Sequence, residues 1–156
     1  MDWLYRLALK IVPYSDIYQE GKLYLRTFFV WRPKWSERLF GIKTGGIYVH
    51  QFLRSDREPP HDHSWNYRTF VLRGGYVDEA WTLLGGHPWT RSDRILKPGM
   101  SVSRPAHHTH RVRLLDESKP AWTLMFVGTV KRDFYFYTDK GPVLWWKFLG
   151  YSSKPA

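Results

Sequence analysis

The chain contains no cysteine. That excludes a disulfide scaffold and thiolate ligation of a metal. It also lacks any uninterrupted apolar run near the roughly 18 residues that span a bilayer. No basic stretch leads into an apolar one at the N-terminus. Neither a membrane-spanning helix nor a secretory signal is expected, and the cytoplasm is the expected compartment. Acidic residues are scarce, with 14 Asp and Glu against 24 Lys and Arg and a formal net charge of +10. A field of that sign attracts anions, whether nucleic acid, phosphorylated or carboxylated small molecules, or an acidic partner. No named nucleic-acid-binding motif accompanies it, so nucleic acid is not the favoured partner.

Aromatic residues are abundant. Nine Trp, ten Tyr and nine Phe make up 18% of the 156 residues. Aromatics favour strands and each buries a large area, so a β-rich domain follows. The length suits one domain, with residues 1–20 as an N-terminal helical segment packed on it, 21–150 as the β-domain and 151–156 as a tail. In the first segment Trp3, Leu4, Leu7 and Ile11 recur at helical spacing, Asp2 stands at the start and Pro13 ends the run. Beyond it come many short strand-like runs, separated by turns rich in Gly and Pro at intervals of about 8–12 residues. Gly74-Gly75 reads as a hairpin turn, and FYFY and VLWWKFL read as the last hairpin. An antiparallel sandwich or barrel is predicted. Trp35, flanked by cations, reads as lying on that barrel, and His50, alternating with Tyr48 and Phe52, as a packed histidine.

Two stretches carry chemistry, PPHDHSWNYRTFVLRGG (59–75) and PGMSVSRPAHHTH (98–110). On a strand, His61 and His63 would share one face, because side chains alternate. His110 belongs to a separate strand-like run. If the sheet folds over on itself, the three imidazoles can meet at a metal ion. Asp62 then points away from its neighbours. The alternative is a pair of polar loop histidines after Pro59-Pro60.

These residues resemble the cupin superfamily. Its first motif, G-x5-H-x-H, three or four residues, E, six residues and G, is met at His61, His63 and Gly75. Arg68 stands at the glutamate position and Ser55 at the first glycine. Its second motif, G-x5-P-x-G-x2-H-x3-N, is met at Gly99, Pro105 and His110, with His107 for the glycine and Leu114 for the asparagine. The H-x-H-x-W and VLRGGY runs also resemble small bacterial and phage cupins. The resemblance implies an all-β, cupin-type antiparallel β-barrel or jelly roll with a short N-terminal helix. It also implies a divalent metal on His61, His63 and His110, iron first, with zinc, nickel or manganese as alternatives.

Three neutral imidazoles leave a dication its full charge and open positions for water or substrate. Arg68 cannot ligate a cation. It either turns away or shares an anionic substrate with the ion, as the resemblance to three-histidine thiol dioxygenases implies. Tyr67, Arg68 and His108 are the candidate catalytic residues. Arg68, Arg104, Trp122 and Phe126 are candidates for substrate binding. The expected function is a metal-binding cupin, an Fe(II)-type dioxygenase or related metal enzyme acting on a small anionic substrate. A non-catalytic cupin module that binds a nucleotide, sugar, nucleic acid or protein is the alternative, and a homodimer the expected assembly.

Overall fold

The computed structural model describes residues 9–33, 38, 43–85 and 87–155. Most of the predicted N-terminal helix, Trp35 and Gly86 lie outside these. Residues 9–11 form a helical turn, and Pro13 separates it from a strand. The helical segment predicted to reach residue 20 is therefore corrected. Its last part is β1 (Tyr14–Gln19), paired with β2 (Lys22–Trp31). Among the described residues no helix is long and apolar enough to cross a membrane.

Among the described residues nine further strands follow: β3 (Gly46–Phe52), β4 (Tyr67–Arg73), β5 (Tyr76–Leu84), β6 (His87–Leu96), β7 (Ser101–Arg104), β8 (His110–Leu114), β9 (Ala121–Val127), β10 (Tyr135–Thr138) and β11 (Gly141–Leu144). One sheet runs β1-β2-β3-β9-β4-β7 and another β6-β5-β8, with β10-β11 as a separate ribbon, and every pairing is antiparallel. The result is a cupin-like β-sandwich. Of the predicted sandwich or barrel it is the sandwich that forms, because β7 bonds only to β4 and β6 only to β5, which leaves both sheets open.

Gly74-Gly75 does not make a hairpin. Both glycines have positive φ, 77° and 133°, and swing the chain from the large sheet into the small one. A Cβ at Gly74 would stand 2.7 Å from the Pro120 carbonyl oxygen, and one at Gly75 2.8 Å from that of Leu96. Only glycine takes that backbone at such close approach. The last predicted hairpin is also shorter than read, since Trp145–Phe148 forms a helical turn, α1. This lets Trp145 stack on Phe134 and Phe148 on Phe136, ring centroids 5.5 and 4.1 Å apart.

The interior divides into two ends. One is apolar, built from Tyr24, Leu25, Phe52, Val71, Leu96 and Leu114 among others. At the other end, Tyr67, Met125 and Val127 pack with Tyr48 and Trp65, and histidines take the place of aliphatic residues. The chemistry gathers at this second end.

Candidate metal centre

His61 and His63 sit not on a strand, as predicted, but in the loop that joins β3 to β4. Backbone bonds hold that loop against the small sheet. His61 N–H donates to the His110 carbonyl (3.0 Å), and His110 N–H donates back (2.9 Å). His63 N–H donates to the Ala106 carbonyl (2.9 Å). Between them, Asp62 points away and is fully buried. Its carboxylate accepts from Arg132 Nη1 (2.6 Å), the Tyr135 amide (2.7 Å) and the Tyr137 hydroxyl (2.8 Å). One carboxylate thus pins the loop to the β10 region, and the imidazoles on either side face inward.

One nitrogen from each of His61, His63 and His110 lies within 4.8 Å of the others. Nε2 of His63 and Nε2 of His110 are 2.9 Å apart. Burial lowers the His61 pKa to about 4, and it holds that of His63 well below the ordinary range, with the neighbouring imidazoles adding to the effect. Both rings are therefore neutral at physiological pH, the state a metal requires.

Asp78, at the centre of β5, organises the second layer. His110 Nδ1–H donates to its Oδ1 at 2.6 Å, which orients the ring, selects the Nδ1–H tautomer of the neutral imidazole and turns Nε2 toward the other histidines. His108 Nε2 lies 3.3 Å from Asp78 Oδ2, and Arg104 Nε donates to the same oxygen at 3.0 Å. Burial works to raise the Asp78 pKa, but the hydrogen bonds from His108 and His110 hold it well below the usual carboxylate range. Asp78, His108 and His110 also converge closely enough to be a ligand set themselves. The Arg104 guanidinium on Asp78 opposes a cation there. Nδ1 of His61 faces Asp56 Oδ2 at 3.4 Å.

Tyr67 stands beside these rings. Its hydroxyl is 3.4 Å from His110 Nε2, and its ring meets His63 edge-on at 4.8 Å. Burial, with the Asp78 charge nearby, raises its pKa well above the ordinary value, so it stays protonated. A groove of about 420 Å³, lined by Asn66, Tyr67, Ser103, Arg104, Pro105 and Phe126, leads from the surface to Tyr67 and Arg104.

Of the residues singled out in the sequence, His61, His63, His110, Tyr67, His108 and Arg104 come together. Phe126 reaches only the outer part of the groove. Arg68 and Trp122 are corrections. In β9 it is Ala121, Thr123, Met125 and Val127 that face inward, so Trp122 lies on the outer face, stacked against Phe28 at 6.1 Å. Arg68 pairs with Phe126 across the strands and shares that outer face, where it donates to Ser101 Oγ (3.2 Å). Asp78 and Asp56 were not singled out. The signal was present in YVDEAW, where adjacent carboxylates in an apolar strand each require a buried partner.

No family model matches the chain, and no curated protein matches it in sequence. Solved structures do. Hydroxypropylphosphonic acid epoxidase from S. wedmorenis superposes with a TM-score of 0.54 at 16% identity, over 76% of this chain and 56% of that one. An Fe(II) form of the same epoxidase, HppE, gives 0.56. A structure of DMSP lyases gives 0.55 at 16% identity, over 81% and 63% of the two chains. The epoxidase and the lyase are cupin-fold proteins. This chain has a cupin fold. Drosophila melanogaster CENP-C bound to CAL1 is also similar, with a TM-score of 0.53 at 8% identity, over 75% and 76% of the chains. The chain spans little more than half the length of the epoxidase chain. At these identities the likeness is one of fold.

Proposed function

We propose that this cupin is a metal-dependent enzyme, an Fe(II)-type oxidoreductase of small anionic molecules, with His61, His63 and His110 as its metal ligands. The observation that carries this reading is the convergence of three imidazoles, His110 buried and His61 and His63 half-buried, two of them held neutral and the third oriented by its Nδ1 bond to Asp78 with Nε2 facing the others.

When bound, such an ion would supply a Lewis-acidic centre with open positions for substrate and dioxygen. The chain's own residues do the rest. Asp78 keeps His110 in the binding tautomer, and Arg104 balances the Asp78 charge. The Tyr67 hydroxyl offers a proton beside the ligands, and His108 lies on the Asp78 carboxylate that holds His110. Arg68 is not in the site and Arg104 is committed to Asp78, so the negative group of a substrate is left to the ion. The Fe(II) epoxidase among the similar structures supports the choice of metal.

The test is the metal content of protein purified with Fe(II) under anaerobic conditions, measured for the wild type and for His61→Ala and His63→Ala. Near-stoichiometric iron in the wild type and its loss in both variants is expected. Equal content in all three would remove the metal site and leave a binding module.

A further inference from the structure

A second buried carboxylate stands against the histidine cluster, and the reading above gives it no task. Asp56 lies in the β3–β4 loop, where its amide donates to the Val112 carbonyl of β8 at 2.8 Å. Its Oδ1 accepts from Gln19 Nε2, at the end of β1, at 2.9 Å and from the Glu58 amide at 3.0 Å. That oxygen is satisfied. Oδ2 is buried with no hydrogen-bond partner, and so is the atom that faces it at 3.4 Å, Nδ1 of His61. Two complementary atoms thus confront each other at roughly 0.5 Å beyond an ordinary N–H···O length. On its other sides the His61 ring meets Phe136, His63 and His110, each at 5.4 Å between centroids.

Asp56 also stands apart in its charge. The other buried carboxylates each have an arginine: Asp62 has Arg132, Asp78 has Arg104, and Glu79 has Arg111 and Arg113. Among the described residues, Asp56 faces only the His61 ring, which burial keeps neutral. A buried charge without a counter-charge is costly, and it is retained where something else supplies one. We infer that Asp56 is a positioning residue of the metal centre, which accepts from His61 Nδ1–H, leaves Nε2 of that ring for the ion, and supplies a buried negative charge that the ion balances. A carboxylate can only accept, so Nδ1 must carry the proton. The Pro59 carbonyl, a second acceptor near the ring, asks for the same. Arg104 already balances Asp78, so Asp56 is the charge left for the ion. This inference rests on the metal-site reading above.

The experiment is nuclear magnetic resonance of the protein carrying isotopically labelled histidine. At neutral pH, long-range proton–nitrogen correlations distinguish a protonated ring nitrogen from a bare one, and His61 is assigned by its loss in His61→Ala. The wild-type ring is expected to carry its proton on Nδ1. In Asp56→Asn, Gln19 and the Glu58 amide hold the new amide oxygen at the Oδ1 position, so its NH2 group faces Nδ1. His61 should then move toward the Nε2–H tautomer. Co(II) affinity, from calorimetric titration, should fall about 10–100-fold. A merely structural role would not move a proton between the two ring nitrogens. A wild-type ring protonated on Nε2 overturns the inference without need of any variant. So does an Asp56→Asn protein whose tautomer is unchanged, or whose Co(II) affinity stays within about twofold of the wild type. Those results leave the metal reading standing wherever the wild type binds Co(II). Failure of the wild type to take up Co(II) overturns both.

Discussion

Asp78 reaches three side chains at once, and its charge is what the site most depends on. Asp78→Asn keeps the shape, but the amide can turn an N–H toward His110 Nδ1 and invert the tautomer, and it leaves Arg104 as an unbalanced cation beside the ion. Metal affinity should fall roughly 10–100-fold with the fold intact, measured by calorimetric titration of Co(II) and checked by circular dichroism. His50 makes a different prediction. Burial lowers its pKa from 6.5 to about 4. The folded protein thus binds this proton less readily than the unfolded chain does. Its contribution is fully present above pH 6.5 and is lost as pH falls toward 4, by roughly 3 kcal/mol. Urea unfolding at pH 7 and at pH 4.5 should show a smaller acid loss in His50→Phe than in the wild type. An equal loss would mean that His50 is not buried as a neutral ring.

The loop that carries His61 and His63 has no ladder of its own, and Asp62 substitutes for one. Removing that carboxylate leaves a buried amide, a phenol and a guanidinium without their shared acceptor. Asp62→Ala should cost about 3–5 kcal/mol, read from denaturant unfolding, and should weaken metal binding through a loosened loop. Elements of this kind mark how far the sequence can be read. The strands and the histidine spacing were legible, because alternation and Gly/Pro turns are local signals. Asp62 was rightly placed facing away by parity, yet its partners lie some seventy residues on and no local pattern points to them. The faces of β9 were illegible for another reason. AWTLMFV has apolar residues on both faces, so parity says which residues go together but not which set turns inward. The large rings of Trp122 and Phe126 suggested the inside, whereas the interior keeps its room for imidazoles and takes the smaller set. Arg68 follows from the same choice, through its register with Phe126. Gly74-Gly75 was legible as a turn but not as a passage between sheets, which depends on what packs against it.

At the scale of the whole molecule, much of the positive charge is already engaged. Glu79, neighbour to Asp78 on β5 but on the opposite face, is 2% exposed beneath three arginines. Arg113 Nε donates to it at 2.7 Å and Arg111 Nη2 at 2.8 Å, and Arg91 Nη1 lies 3.7 Å away. The two faces of one strand thus hold two buried carboxylates, one serving the site and one the surface. The centre itself joins the β3–β4 loop to β8, so an ion bound there ties two distant parts of the chain together. At a hundredfold excess over its dissociation constant, it should stabilise the fold by about 2.7 kcal/mol. Differential scanning calorimetry should record a higher melting temperature with Co(II) for the wild type and none of that gain for His110→Ala. The backbones of His61 and His110 exchange both of their amide bonds, which sets their Cα atoms at the roughly 5.5 Å of a hydrogen-bonded pair. Two of the three claws are thus spaced by main chain rather than by the ion they hold. A chelator should therefore strip the protein without unravelling it, leaving an empty socket that refills at once and whose amides at 61 and 110 remain among the slowest to exchange with heavy water.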